Sequence, residues 1–179
     1  MAYDASKYES AQPSFFRLSR VPLIFIVLGA LSLVGAIALT TTTDQHDLDF
    51  KVESLDGNTI TLSHFRGKTI AVNFWATWCA PCRQEMPALA SYYQEHRDKD
   101  FVLLSINTGE TADAATNFVE QYGFSFPIGL DPNGSLRERL GINGLPVTLI
   151  INPSGKITYR HTGMITIDVL HAKVIEASK

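Results

Sequence analysis

The sequence predicts an α/β sandwich with a central sheet of mixed direction, preceded by one membrane-crossing helix. Three observations lead there. From Phe50 onward, apolar strand-like runs and helical periodicities alternate in the order β-α-β-α-β-α-β-β-α, the pattern of a layered α/β domain. Two of the runs, 70–75 and 101–106, are apolar almost throughout, as expected of strands buried on both faces. Ahead of them, residues 21–39 carry no charge and stand alone before a polar connector.

That stretch reads VPLIFIVLGALSLVGAIAL. At about 1.5 Å per residue its 19 residues nearly span a hydrocarbon core of about 30 Å. Arg17 and Arg20 precede it, while Asp44, Asp47 and Asp49 follow it with no Lys or Arg before Lys51. The charge asymmetry places the N-terminus in the cytoplasm and the rest outside. The expected organisation is a cytoplasmic tail over 1–20, a transmembrane helix (a signal anchor) over 21–39, a linker over 40–47 and one α/β domain over 48–179. Cleavage after Ala38 is the alternative, since Ala36 and Ala38 have the spacing of a signal-peptide site. Either way the domain faces an oxidising compartment, at the outer or periplasmic face of the cell membrane.

Within the domain, residues 50–54 and 59–62 form strands around the hairpin signal Asp56-Gly57. The strand 70–75 runs into a helix from Cys79, with Met86, Leu89, Ala90 and Tyr93 at i, i+3, i+4 and i+7. Pro87 is expected to kink that helix. After strand 101–106 comes a helix from about Ala112 with Ala115, Phe118, Val119 and Tyr122 on one face, ended by Gly123. Residues 126–130 predict a short strand and 135–140 a short helix. Strands 147–151 and 156–161 flank the turn Asn152-Pro153-Ser154-Gly155, and Ile167, Leu170 and Val174 mark a last helix.

The chain has 179 residues, 45% of them apolar and 18% charged, with a net charge of −3. No basic field recommends nucleic acid as a partner. The only two cysteines, Cys79 and Cys82, allow a single bridge, whose loop is too short to stabilise a fold through chain entropy. Lying at a strand-to-helix turn, both sulfurs sit at a helix N-terminus, where unpaired N–H groups and the helix dipole stabilise a thiolate. A stabilised thiolate attacks disulfides, and a second thiol one turn away releases the mixed disulfide. Cys79, nearer the helix start, is the expected nucleophile. Cys82 is the expected resolving thiol, and Pro81 restrains the turn between them.

Two further positions are candidates. Pro146, just before strand 147–151, is a candidate cis proline whose loop, with Leu145, can pair with an extended substrate segment. Glu110 follows strand 101–106 at the sheet edge where the cysteines lie, an edge that collects chemistry in α/β proteins. Its carboxylate is placed either to exchange a proton with Cys82 or, as a solvated acid, to help the following helix start. Asn73 is expected to satisfy backbone groups, the five histidines to lie on the surface, and Trp78 to form the rim beside Cys79. The expected substrate-binding residues are Trp78, Pro81, Leu145 and Pro146. With no second cysteine pair and no closely spaced His, no metal or other cofactor is expected.

The stretch 73–82 (NFWATWCAPC) followed by Glu85-Met86-Pro87 resembles the active-site segment of the TlpA/ResA-like thioredoxin proteins. The likeness continues through Gly109-Glu110, Tyr122-Gly123, Phe126-Pro127, Leu130-Asp131, Leu145-Pro146 and residues 151–156. It implies a thioredoxin-like fold with a strand-helix element inserted over 111–131, a cis Pro146 facing the cysteines, and a tuning role for Glu110. It also implies a membrane-anchored, extracytoplasmic thiol-disulfide oxidoreductase, a reductant for protein substrates with a disulfide or dithiol, with apocytochrome c as a candidate. A transmembrane electron donor and the lipid bilayer complete the expected partners. Asn73, where thioredoxins proper carry Asp, agrees with the ResA-like group, whereas Ala80 stands where one member of that group carries a charged Glu between the cysteines. Two other readings of the same residues are a copper-binding chaperone using both cysteines and a distant His such as His161, and a thiol peroxidase. Ala76 stands where peroxidases of this kind place a Thr.

Overall fold

The computed structural model describes residues 48–97 and 99–179. The expected tail, membrane helix and connector lie outside the described residues. Among the described residues no helix is long and apolar enough to cross a membrane.

The elements run β1 (Lys51–Ser54), β2 (Thr59–Thr61), a 3-10 turn (Leu62–Phe65), β3 (Thr69–Trp75), α1 (Ala80–His96) and β4 (Phe101–Thr108). They continue with α2 (Ala112–Tyr122), β5 (Ile128–Asp131), α3 (Ser135–Arg139), β6 (Val147–Ile151), β7 (Ile157–Thr162) and α4 (Ile167–Ala177). The strands form one mixed sheet in the order β2-β1-β5-β4-β3-β6-β7. β3, β4 and β5 are parallel, and the β1-β2 and β6-β7 hairpins add antiparallel edges. The element that follows Glu110 is a helix and then a strand, α2 and β5, and β5 inserts between β4 and β1.

β3 lies at the centre, buried along its whole length, because both faces of the sheet are covered. Its alternation sorts the core. Ala71 and Trp75 pack with residues of α1, α2 and α4, including Met86, Leu89, Phe118 and Leu170. Ile70, Val72 and Phe74 pack on the other face with Phe50, Leu62, Leu136 and Ile142. Asn73 therefore faces the helix layer, a polar side chain within the otherwise apolar run 70–75.

α1 is amphipathic with a slightly different phase from the expected one. Its buried residues are Cys82, Glu85, Met86, Leu89 and Tyr92, while Tyr93 is only half-buried. It passes through Pro87 as one continuous element. Pro87 is exposed, so the missing donor falls on the solvent side, where water meets the freed carbonyl. In α2 the exposed Tyr122 departs from the expected core face; it stacks on Phe124, with ring centroids 5.6 Å apart. Gly123 ends that helix in the left-handed conformation, φ 67°, which costs a glycine little.

Candidate active site

The turn from β3 into α1 carries the two cysteines. Cys79 is the N-cap of α1 in an extended conformation, and Pro81 stands in the first turn, where its missing N–H is no loss. The Cys79 sulfur accepts the Cys82 N–H at 3.3 Å, so one of the orphan donors of the helix end points at it. The two sulfurs form a disulfide. Cys79 is 5% exposed and Cys82 is fully buried, so attack from outside is possible only at Cys79.

The turn itself is tied down from behind by Glu110, in the loop after β4. Its carboxylate accepts the Thr77 N–H at 2.7 Å, the Thr77 hydroxyl, and the Asn107 amide at 2.8 Å. Arg83, in the first turn of α1, donates to the Thr77 carbonyl at 2.7 Å. Glu110 thus sits at the expected sheet edge, but its bonds hold the loop two residues before Cys79, and none of its hydrogen bonds goes to a sulfur.

The buried carboxylate on the cysteine helix is Glu85. It lies three residues beyond Cys82, hence one turn on along the same buried face, and is 3% exposed. Oε1 accepts from the Asn73 amide at 2.8 Å, and Oε2 accepts from the Ile165 N–H at 2.9 Å. Asn73 donates also to the Thr148 hydroxyl at 3.1 Å. The expectation that Asn73 serves backbone groups is therefore corrected: its amide binds side chains, because β3 aims it into the helix layer. Burial pushes the Glu85 carboxyl up from its ordinary range. The Ile165 N–H, the Asn73 amide and the nearby His161 work against that rise.

The Leu145–Pro146 peptide, just before β6, is cis. The Pro146 carbonyl accepts from Gly163 N–H at 2.9 Å, which joins the proline loop to the turn leaving β7. Next to the cysteines, Trp78 is 63% exposed. Met164, in the turn that supplies Ile165, is also exposed. Trp78 and Met164 thus stand in solvent while the sulfur pair itself is nearly sealed.

Cys79, Cys82, Trp78 and Pro81 lie on one turn, and Leu145-Pro146 opens β6, the neighbour of β3. The sequence reading missed Glu85, although its spacing carried the signal: a helix buried through Cys82, Met86 and Leu89 also buries the acid at 85. His161 is not a free surface group either. Its Nε2 meets the Met164 carbonyl and its Nδ1 the Tyr159 hydroxyl, each at 3.2 Å.

A family model described as AhpC/TSA matches residues 44–160. The chain belongs to the AhpC/TSA family. It is similar to the thiol-disulfide oxidoreductase ResA of Bacillus subtilis (strain 168), 36% identical over 123 residues that cover 69% of each chain. The ResA of Halalkalibacterium halodurans is 33% identical over 154 residues, 85% of this chain and 88% of the relative. Among solved structures, a Chlorobium tepidum protein assigned as a DsbE-type thiol:disulfide interchange protein superposes with a TM-score of 0.68 at 28% identity. The match covers 73% of this chain and 94% of that one. The fold is thioredoxin-like, and the chain is a thiol-disulfide oxidoreductase of the ResA/DsbE type.

Proposed function

We propose that this protein is an extracytoplasmic disulfide reductase for protein substrates, held to the cell membrane by the helix expected over 21–39. The observation that carries the reading is the asymmetry of the sulfur pair: Cys79 at the mouth of the site and capping α1, Cys82 sealed beneath it with a buried carboxylate one turn on. In the reduced protein the Cys79 thiolate attacks one sulfur of a substrate disulfide. A Cys79–substrate bond forms, and the other substrate sulfur leaves and takes a proton. The Cys82 thiol passes its proton to Glu85 and attacks the Cys79 sulfur. The Cys79–Cys82 bond forms, the second substrate thiolate departs, and two electrons have moved from the protein to the substrate. Glu85 fits the acceptor role because burial keeps its proton affinity above that of an ordinary carboxyl. Glu110 fits a positioning role: it fixes Thr77 and thereby the approach to Cys79.

The exposed Trp78 and the loop at Leu145-Pro146 offer an apolar flank and an extended backbone to a peptide substrate. The similarity to ResA proteins supports a protein substrate, and a transmembrane electron carrier would return the disulfide to the dithiol. Apocytochrome c is the substrate to try first. The test is reduction of insulin, and of an oxidised CxxCH peptide, by the reduced full chain. Cys79→Ser should abolish turnover, and Cys82→Ser should accumulate a mixed disulfide. Full activity of Cys79→Ser would sink the mechanism.

A further inference from the structure

One peptide group links the buried carboxylate to an imidazole nearer the surface. The Ile165 N–H donates to Glu85 Oε2 at 2.9 Å. The carbonyl of that same peptide unit, Met164 C=O, meets His161 Nε2 at 3.2 Å. A carbonyl oxygen can only accept, so Nε2 carries a hydrogen. His161 Nδ1 then faces the Tyr159 hydroxyl at 3.2 Å, which either donates to it or accepts from it. The imidazole can therefore gain a proton at Nδ1 with both hydrogen bonds kept; only the Tyr159 O–H has to turn. A cationic ring at the carbonyl end polarises the peptide and strengthens the N–H donated to Glu85. The circuit closes through the sheet, since His161 pairs in register with Thr148, whose hydroxyl accepts from the Asn73 amide that also serves Glu85.

We propose that His161 is a positioning residue that controls the charge state of Glu85 through the Met164–Ile165 peptide group. Imidazole is the side chain whose ordinary titration falls between about pH 5 and 8. In the cationic form it favours the ionised state of Glu85, the state that can take a proton from Cys82; once neutral, it withdraws that support. His161 thereby extends the working range of the resolving step toward acid. Other groups face this pair as well. Lys173 of α4 lies over the Tyr159 ring, 5.1 Å from its centroid, and is paired with Glu176 at 2.7 Å. From α1 come Glu85 itself and, after reduction, the Cys82 thiol. Lys173 opposes a second cation beside Tyr159, and its pairing with Glu176 reduces that opposition.

The inference rests on the proton-acceptor reading of Glu85 only in its kinetic consequence, and the experiment separates the two. The oxidised full chain, labelled with 13C at the glutamate carboxyls, is titrated by NMR as wild type and as His161→Gln; the Glu85 signal is assigned by its loss in Glu85→Gln. Gln retains an N–H donor for the Met164 carbonyl but cannot become a cation. The Glu85 midpoint should move to higher pH in His161→Gln, and the acid limb of mixed-disulfide resolution should move with it. A folded variant with an unmoved Glu85 midpoint overturns the proposal. A moved midpoint with an unmoved acid limb supports the coupling and refutes Glu85 as the proton acceptor. If His161→Gln does not fold, the converse titration decides. Coupling between two sites is reciprocal, so Glu85→Gln must lower the midpoint of the His161 ring signal, and an unchanged ring midpoint overturns the proposal.

Discussion

Replacing Glu85 by Gln tests whether the buried carboxylate carries the strain that burial imposes on it. In the oxidised fold its two oxygens face two donors, the Asn73 amide at 2.8 Å and the Ile165 N–H at 2.9 Å. Gln offers one oxygen and one NH2, so one donor comes to face another donor. An unsatisfied buried donor costs about 1–3 kcal/mol, and that cost is independent of pH. Against it stands a pH-dependent gain. Burial raises the Glu85 carboxyl above its ordinary value of 4.5. Above pH 4.5 the unfolded chain has released this proton while the folded chain still holds it. The unfolded state then binds fewer protons, and stability falls as pH rises, by up to about 1.4 kcal/mol per pH unit, until the folded-state midpoint is passed. Gln removes this slope. Guanidinium unfolding of the oxidised protein at a series of pH values should show the difference between Glu85→Gln and wild type moving in favour of the variant from pH 4.5 upward, then levelling. Parallel stability curves across that range would refute the argument that burial, rather than its hydrogen bonds, dominates at Glu85.

Other perturbations have equally definite outcomes. Asn73→Ala removes one donor from Glu85 and should extend the falling part of the stability–pH curve to higher pH, its lower end unchanged; an unextended curve would mean that the Asn73 bond does not favour the ionised form. Glu110→Ala unties Thr77 and Asn107 and should cost about 1–3 kcal/mol by chemical denaturation, leaving the Glu85 titration in place. In the reducing direction, Glu85→Gln should slow resolution of the mixed disulfide at neutral pH by on the order of 10²-fold, with little effect on the first attack by Cys79, as read by stopped-flow alkylation and quench. Gly129→Ala places a Cβ 2.6 Å from Val52 Cγ2 and 2.8 Å from Ile106 Cδ1, an overpacking expected to cost about 1–3 kcal/mol on denaturant titration.

Much of the architecture was legible because its signals are local. The apolar run ending at Trp75, the turn Asn152-Pro153-Ser154-Gly155 and the terminator Gly123 each act through neighbouring backbone, and each marks an element boundary in the structure. The short cysteine spacing placed the sulfurs on the first turn of a helix for the same reason. What escaped was set by tertiary packing. Tyr92 rather than Tyr93 is buried in α1, because the sheet and α4 select the face and propensity does not. Chain position offers Glu110 as the acid near the cysteines and does not single out Glu85. The loop geometry turns Glu110 toward Thr77, whereas the helix phase fixed by Cys82 turns Glu85 inward. The contact between His161 and the Met164–Ile165 peptide depends on how the turn after β7 folds back over α1, and nothing in the residues 161–165 announces it. The membrane helix was read from residues outside the described structure and remains part of the proposal.

The central claim is that the buried sulfur pair exchanges electrons reversibly with other thiols. Equilibrating the full chain across dithiothreitol and glutathione redox buffers, followed by alkylation and mass measurement, tests it directly. The account predicts a single two-electron transition between the bridged and dithiol forms, with a tenfold change in their ratio for about 30 mV, and at a potential reducing enough to open protein disulfides. A pair that stays bridged or stays open across the whole range would contradict it.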